Sequence, residues 1–334
     1  MKAEYFKYIL KFKRPGGTSR GVLHEKETFI LEISKNGRKG IGECAVFRGL
    51  SFDDRPDYEE KLQWLCDHIQ LESELLKKEL KRFPSIWFGY EQAILNLNEG
   101  EKLYFPSEFT EGKTPVVING LIWMGDVDFM QEQIQDKLDQ GFHCIKLKIG
   151  VDWESEYAIL KELRKKFSEN ILELRVDANG GFNREEAKTV LRQLADLHIH
   201  SIEQPIKAGN LNDMAELCAE TPIPIALDEE LIGIIDFNEK RKLLDKIKPQ
   251  YIILKPSLIG GISGSDEWIS LAEEQNIGWW ITSALESNIG LNAIAQYTFI
   301  KKNPMPQGLG TGGLFTNNFE PDLKLKGELL YFKV

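Results

Sequence analysis

Five ionisable residues recur at an even pitch in the second part of the chain, each near the end of a short apolar run or directly after it. They are Lys148, Asp177, Glu203, Asp228 and Lys255, and successive members are 29, 26, 25 and 27 residues apart. One strand and one helix of a (β/α) barrel together take about 30 residues. The even pitch therefore predicts that these side chains stand at the same level in five consecutive strand–helix units.

The three carboxylates of this set, Asp177, Glu203 and Asp228, follow three successive strand candidates. In a (β/α) barrel the carboxyl ends of neighbouring strands meet at the mouth of the active site, so these side chains are expected to converge. Uncompensated carboxylates at close range repel one another, and a hard divalent cation with oxygen ligands relieves the repulsion. The sequence therefore predicts a metal site, with Mg²⁺ as the expected ion and Mn²⁺ as the alternative.

The two lysines of the set follow the second and sixth strand candidates, which lie four apart in an eight-stranded ring. Lys148 and Lys255 are therefore expected to face each other across the metal site. This arrangement suits removal of a proton next to a substrate carboxylate, since a lysine moves the proton and the metal takes the negative charge. Lys146 lies on the same strand face as Lys148 and is a candidate for substrate contact, as is Asn179, for which a turn or helix cap is the alternative.

The elements around these residues predict a barrel. From residue 114 onward, short apolar runs alternate with helical patterns of roughly 10–15 residues, which is typical of parallel strands joined by helices. The runs cover residues 115–118, 144–149, 173–176, 201–203, 225–227, 251–254, 278–281 and 307–309. The fold class is therefore α/β, with a TIM-type barrel expected over residues 106–310. A doubly wound open sheet is the rival, but no GxGxxG motif opens a helix.

The first part of the chain has a different pattern and predicts an α+β capping domain over residues 1–105. Strand-like runs at 27–33 and 40–46 flank Asn36-Gly37, a strong hairpin signal. Helices are expected over 58–83 and 85–98. Loops near 15–20 and 48–51 are expected to close over the barrel mouth, and residues 311–334 are expected to return to the capping domain.

Composition excludes several other classes of protein. The 334 residues carry a formal net charge of −10, which disfavours a nucleic-acid or anionic-membrane partner. No apolar run approaches the roughly 18 residues of a membrane span. The four cysteines are scattered without a CxxC pair, which favours unpaired thiols and a cytoplasmic location. A small-molecule carboxylate is the expected partner.

The motifs that carry the five residues resemble those of the enolase superfamily, and within it the muconate-lactonizing subgroup. They are Lys146-Leu147-Lys148, Val176-Asp177-Ala178-Asn179, Glu203-Gln204-Pro205, Leu227-Asp228-Glu229 and Leu254-Lys255-Pro256. The resemblance extends over nearly the whole chain and implies an enolase-like capping domain, a barrel and a returning tail. The lysine and Mg²⁺ chemistry of such sites is a known property of the superfamily.

Two further segments narrow the resemblance. Residues 283–287 (SALES) and 308–313 (GLGTGG) are similar to the o-succinylbenzoate synthases of menaquinone biosynthesis. Dipeptide epimerases of the subgroup typically carry Asp-x-Asp on strand eight to bind the substrate ammonium, whereas this chain has glycine and threonine there. The resemblance thus favours a substrate that lacks an α-ammonium group.

The implied reaction is a lyase reaction, the dehydration of 2-succinyl-6-hydroxy-2,4-cyclohexadiene-1-carboxylate to o-succinylbenzoate. By resemblance, Lys148 removes the proton α to the ring carboxylate and returns it to the departing hydroxyl, and Lys255 stabilises the enediolate. Backbone amides near Ser283 and Gly312 are implied to bind the succinyl carboxylate.

Two alternatives stay open. An N-succinylamino acid racemase, or another N-acyl amino acid or dipeptide epimerase, would use the same two lysines, because groups on both sides of a planar enediolate can exchange protons on either face. The other alternative is a non-catalytic binding protein of the same fold, which the intact set of five residues disfavours.

Overall fold

The computed structural model describes residues 1–18 and 21–334. The N-terminal part consists of an antiparallel sheet in the order β1-β2-β3, followed by three helices. The elements are β1 (Lys2–Thr18), β2 (Gly21–Lys35), β3 (Arg38–Cys44), α1 (Tyr58–Asp67), α2 (Ser73–Glu79) and α3 (Pro84–Glu99). The predicted hairpin is confirmed, with Asn36 and Gly37 at the positive φ angles of 52° and 78° that its tight turn requires.

One element of this part was not predicted, and one predicted helix is wrong. Strand β1 was not predicted, and the helix expected over 58–83 is interrupted between α1 and α2. The imidazole of His68 lies 2.8 Å from the carbonyl oxygen of Trp64 and helps to end α1. The loop expected near 15–20 is strand as far as Thr18, and Ser19 and Arg20 lie outside the described residues.

Helix α3 packs directly on β3 through glycines. A Cβ at Gly42 would lie 2.0 Å from the carbonyl oxygen of Gly89, and one at Gly89 would lie 2.3 Å from the sulfur of Cys44. No side chain fits at either position. The close approach brings α3 and the sheet together as one layer above the barrel.

The rest of the chain is the predicted α/β barrel. Its parallel sheet has the order β11-β10-β9-β8-β7-β6-β5. Bridges from Gln307 to Ile118 and from Gly308 to Thr282 connect its two edges. The strands of this part are β4 (Val116–Val117), β5 (Gly120–Ile122), β6 (Cys144–Lys148), β7 (Glu173–Asp177), β8 (Ser201–Glu203), β9 (Ile225–Leu227), β10 (Tyr251–Leu254), β11 (Gly278–Ile281), β12 (Leu323–Lys326) and β13 (Leu329–Phe332).

Helices alternate with these strands and cover the outside of the sheet. They are α4 (Val127–Asp139), α5 (Trp153–Lys166), α6 (Arg184–Asp196), α7 (Leu211–Glu220), α8 (Phe237–Ile247), α9 (Gly261–Glu274) and α10 (Asn288–Lys301). Strands β6 to β10 are short apolar runs whose residues are almost all buried. Such runs are expected where helices cover a parallel sheet.

The run at 115–118 does not form the first barrel strand as predicted. Instead β4 pairs antiparallel with β13, with Leu330 opposite Val116, and the barrel sheet begins at β5. The C-terminal segment first runs beside the capping sheet, where the Thr316 amide donates to the Lys11 carbonyl oxygen at 2.8 Å. Among the helices that the structure describes, none has the length and apolar character needed to cross a membrane.

Candidate active site

The five residues singled out by their spacing all stand at the carboxyl ends of neighbouring strands. Lys148, Asp177 and Glu203 are the last residues of β6, β7 and β8, and the register places Asp177 opposite both of the others. Asp228 and Lys255 directly follow β9 and β10. The buried strands thus place all five side chains on one level, as predicted.

Ion pairs connect these side chains. The Lys148 Nζ lies 2.9 Å from Asp177 Oδ2, and the Lys255 ammonium contacts the Asp228 carboxylate. Lys146 lies between two carboxylates, with its Nζ 2.6 Å from Glu203 Oε2 and 3.6 Å from Asp177 Oδ2. Three ammonium groups therefore face three carboxylates, and their formal charges balance.

The charges of these carboxylates have to be balanced because the side chains are buried. Asp177, Glu203 and Asp228 are at most 2% exposed, and an isolated charge is costly in such surroundings. Burial opposes ionisation of Asp177, but Lys148 and Lys146 outweigh it and hold the pKa of that carboxyl below its ordinary value. Burial likewise opposes the charged form of Lys255, yet the carboxylate of Asp228 raises its pKa above the ordinary value.

The carboxylates have the donor chemistry that a divalent cation needs. They supply only oxygen atoms, which suit Mg²⁺, and the buried Glu203 Oε1 accepts no hydrogen bond from residues 1–18 or 21–334. Lys255 Nζ lies 3.7 Å from that oxygen. In the described part of the chain no three acidic, histidine or cysteine side chains converge on one point, because lysine ammonium groups lie between the carboxylates. The oxygen atoms of these three carboxylates fit a divalent metal.

Asn179 contacts the lysine rather than standing apart from it. Its Oδ1 accepts from Lys148 Nζ at 2.6 Å, and its Nδ2 donates to Glu229 Oε1 at 3.1 Å. Its backbone is in the left-handed region, with φ 44°, and its amide donates to Asp177 Oδ1. Asn179 therefore orients Lys148 towards the cavity described next, whose lining also includes Asn179 itself.

A cavity opens above the ion pairs, between the barrel and the capping domain. Lys146, Lys148 and Lys255 lie along its lining, so both lysines predicted to be catalytic, Lys148 and Lys255, reach the same space. Ser283 also lines the cavity, and its hydroxyl lies 2.5 Å from that of Thr311. Gly312 is not part of the lining, although its neighbour Thr311 is.

The opposite wall of the cavity is apolar. It includes Phe47 and Leu50 from the capping domain, near the loop predicted at 48–51, together with Trp123 and Leu285 from the barrel. The indole of Trp123 packs close to Gly16 of β1, where an added Cβ would lie 3.3 Å from the ring. An apolar wall opposite a charged one suits a ligand that carries a carboxylate on a ring.

One residue of this region was missed in the sequence analysis. Gln204 follows Glu203 and is fully buried, and its side chain bonds to the backbone of Asp228. Strand alternation points a residue next to Glu203 away from the barrel interior. The left-handed φ of 40° at Gln204 redirects it, and no spacing in the sequence signals this.

Comparison with known proteins bears on the whole chain. A family model described as enolase C-terminal domain-like matches residues 129–325. The chain is 44% identical to the o-succinylbenzoate synthase of Desulfotalea psychrophila (strain LSv54 / DSM 12343), over 99% of this chain and 98% of that protein.

Solved structures share the fold. The crystal structure of MenC from Desulfotalea psychrophila LSv54 matches with a TM-score of 0.89 at 41% identity, over 99% of each chain. The L-Ala-D/L-Glu epimerase from Bacillus subtilis, solved as a substrate-liganded complex, matches with a TM-score of 0.86. Its identity is 21%, over 100% of this chain and 97% of that chain, so this likeness concerns the fold alone.

Proposed function

Because this chain belongs to the enolase C-terminal domain-like family, we propose that it is an o-succinylbenzoate synthase of menaquinone biosynthesis. The reaction is the dehydration of 2-succinyl-6-hydroxy-2,4-cyclohexadiene-1-carboxylate to o-succinylbenzoate. The observation that carries the proposal is the placement of Lys148 and Lys255 in one cavity, on either side of three buried carboxylates. The full-length similarity to a synthase of that name supports the substrate.

The proposed chemistry assigns one proton-transfer residue. Lys148, as the neutral amine, takes the proton from C1 of the ring, α to the carboxylate. The electrons of that C–H bond move into an enediolate, whose collapse expels the hydroxyl from C6. The proton on Lys148 goes to that hydroxyl, so the products are water and the aromatic ring.

Lys255 has a different role in this proposal. Its ammonium stays charged and stabilises the enediolate, which agrees with a pKa raised above the ordinary value by the adjacent Asp228 carboxylate. Asn179 holds Lys148 in place, because its Oδ1 accepts a hydrogen bond from the Lys148 Nζ. The apolar wall with Phe47 and Leu50 excludes water and packs against the ring.

Synthases of this family depend on a divalent metal, and we propose that the ion here is Mg²⁺, held by Asp177, Glu203 and Asp228. When bound, it supplies positive charge to the substrate carboxylate during enolisation. The support is the all-oxygen donor set and the buried Glu203 Oε1, which accepts no hydrogen bond in the described part of the chain. Lys146, paired with Glu203, balances the remaining negative charge beneath the site.

We also propose a cytoplasmic location. Cys44, Cys66, Cys144 and Cys218 are all buried and unpaired. Unpaired thiols of this kind persist in a reducing compartment.

An absorbance assay of the cyclohexadiene substrate tests the proposal. We expect rapid loss of the diene absorbance with Mg²⁺, and its arrest by excess EDTA. Restoring Mg²⁺ should recover the rate, and Mn²⁺ in its place tests the choice of ion. The contrary outcome is no turnover of the diene together with deuterium uptake at the α-carbon of N-succinylamino acids in D₂O. That result would make the protein a racemase, which also needs two lysines in one cavity.

A further inference from the structure

A strained turn forms part of the cavity wall and connects β11 to α10. We call residues 283–287 the wall turn. Ser283, Ala284 and Leu285 line the cavity. Leu285 has a φ of 63° and is only 8% exposed, so a bulky non-glycine residue is held in the left-handed region. Such a conformation persists only where neighbouring contacts impose it.

One set of contacts comes from within the barrel. The side chain of Glu286 is fully buried and accepts from the Ala284 amide at 2.7 Å. Its other oxygen accepts from the hydroxyl of Ser257 at 2.6 Å. The carboxylate thus ties the wall turn to the loop that follows β10.

The second set comes from the capping domain. Glu43, at the end of β3, is fully buried. Its carboxylate accepts from the Ser287 amide at 2.9 Å, the Ser287 hydroxyl at 2.6 Å and the Gly290 amide at 2.9 Å. It also accepts from the hydroxyl of Thr28 at 2.8 Å. One carboxylate of the capping domain therefore satisfies two buried backbone amides at the start of α10.

Two residues next to the Glu43 carboxylate accommodate it. A Cβ at Gly290 would lie 2.7 Å from Glu43 Oε2, so only glycine allows the approach. Lys26 is buried near Glu43 and Glu286, and its Nζ makes no hydrogen bond within the described residues. Burial lowers the pKa of Lys26 while the Glu43 and Glu286 carboxylates oppose that shift, and its Nζ does not compete with the amides for the Glu43 oxygens.

We propose that Glu43 is a positioning residue for substrate binding, which acts by holding the wall turn against the bound substrate. This inference rests on the proposed function for its substrate. Leu285 lies between residues that Glu286 and Glu43 hold, so removing the Glu43 charge frees one side of the strained turn. The lysines and carboxylates of the barrel do not contact Glu43. Loss of Glu43 therefore weakens substrate binding much more than it slows the chemical step.

The chain offers a matched control. Glu91, on α3 of the capping domain, accepts from the amides of Ile262 and Ser263 at 2.6 and 3.1 Å, at the start of α9. It makes the same kind of contact on the neighbouring helix. Neither Ile262 nor Ser263 lines the cavity.

The experiment compares Glu43→Gln with Glu91→Gln by steady-state kinetics and by amide hydrogen exchange. For Glu43→Gln we expect KM to rise about tenfold, as for loss of one charge-assisted hydrogen bond, with kcat within about threefold of the unsubstituted enzyme. Exchange should accelerate at least about tenfold in peptides covering 284–290. For Glu91→Gln the accelerated exchange should lie in 261–264, with KM unchanged.

A second variant, Gly290→Ala, changes the residue on α10 whose amide donates to Glu43. Its added Cβ would lie 2.7 Å from Glu43 Oε2 and 2.9 Å from Glu286 Cβ, so it crowds both side chains that hold the wall turn without changing their charge. The same rise in KM and the same local exchange are expected. Unchanged exchange in 284–290 for Glu43→Gln would overturn the proposal. Faster exchange there with an unchanged KM, or an equal rise in KM for Glu91→Gln, would overturn it as well. If the unsubstituted protein does not turn over the diene, the proposed function fails, and the exchange measurement alone decides whether Glu43 holds the turn.

Discussion

Gln204 is a buried residue whose removal should weaken metal binding without changing any of the three proposed metal ligands. Its Oε1 accepts from the amides of Asp228 and Glu230 at 3.1 and 3.3 Å. Its Nε2 donates to the carbonyl oxygen of Ile206 at 3.0 Å and to the Glu230 carboxylate at 3.1 Å. The side chain therefore connects the ends of β8 and β9, where Glu203 and Asp228 stand.

The substitution Gln204→Leu removes all four hydrogen bonds with little change in volume. At a net value of about 1 kcal/mol each, the free energy of unfolding should fall by about 4 kcal/mol. That is a large share of the roughly 5–15 kcal/mol that stabilises a typical domain. Loss of a residue that orients metal ligands typically weakens metal affinity by about 10–100-fold.

These two effects separate when stability is measured with and without the metal. At a Mg²⁺ concentration of 100 times Kd, binding stabilises the fold by about 2.7 kcal/mol, and a 100-fold weaker site would retain only about 0.4 kcal/mol. Urea denaturation in EDTA gives the loss in the free energy of unfolding, and repeating it at that fixed Mg²⁺ concentration gives the stabilisation by the metal. The Mg²⁺ dependence of turnover gives the affinity independently.

Gln296 provides the control for the loss of hydrogen bonds alone. It is also fully buried and makes four bonds, but on α10 and away from the carboxylates. Its partners are the Tyr104 and Phe105 amides, the Lys102 carbonyl oxygen and Asn292 Oδ1. Gln296→Leu should lose similar stability in EDTA while keeping the full gain from Mg²⁺. Equal gains from Mg²⁺ in the two variants would refute the reasoning.

Two other predictions concern the base and a buried carboxyl of the capping domain. Lys148→Met should lower kcat by at least about 10²–10⁴, because the proton acceptor is lost, with an unchanged circular dichroism spectrum; α-proton exchange at the original rate would contradict the assignment. Burial raises the pKa of Asp53 from 3.8 to about 6, although Ser85 donates two hydrogen bonds to it. The folded state therefore holds this proton more tightly than the unfolded chain, so the contribution to stability is complete below about pH 4 and is lost as pH rises through 6. The loss is about 3 kcal/mol, and urea denaturation between pH 4 and 8 should show it in the parent protein but not in Asp53→Asn; parallel pH profiles would count against it.

The catalytic end of the barrel was predictable because its information is local and repeated. Asp177 and Glu203 end short strands of five and three residues, Asp228 directly follows one of three, and the fold places these strand ends at the same level. The chemistry then follows from residue type alone. The ion pairs themselves were not predictable, since Lys146 of β6 reaches Glu203 of β8 past the intervening strand β7.

Elements whose partners lie far along the chain were not predicted correctly. Val116 and Val117 have the composition of a barrel strand, but their edge pairs with β13, more than 200 residues later. An apolar pair does not specify which edge it joins.

Strand β1 was missed for another reason, because its partner β2 is adjacent in the chain. Its exposed lysines and Pro15 weaken the alternating pattern of a strand.

The difference between local signals and distant contacts also separates the five charged residues of the barrel from the wall turn. The lysines and carboxylates come from consecutive strand–helix units, so a single period in the sequence reveals them. The wall turn depends instead on Glu43, which is 244 residues away from Ser287 and belongs to another layer. Glu43 stands in an ordinary strand, and only the glycine at 290 leaves room for it. A change at the contact between the capping domain and the barrel should therefore alter KM while the chemistry proposed for Lys148 and Lys255 continues.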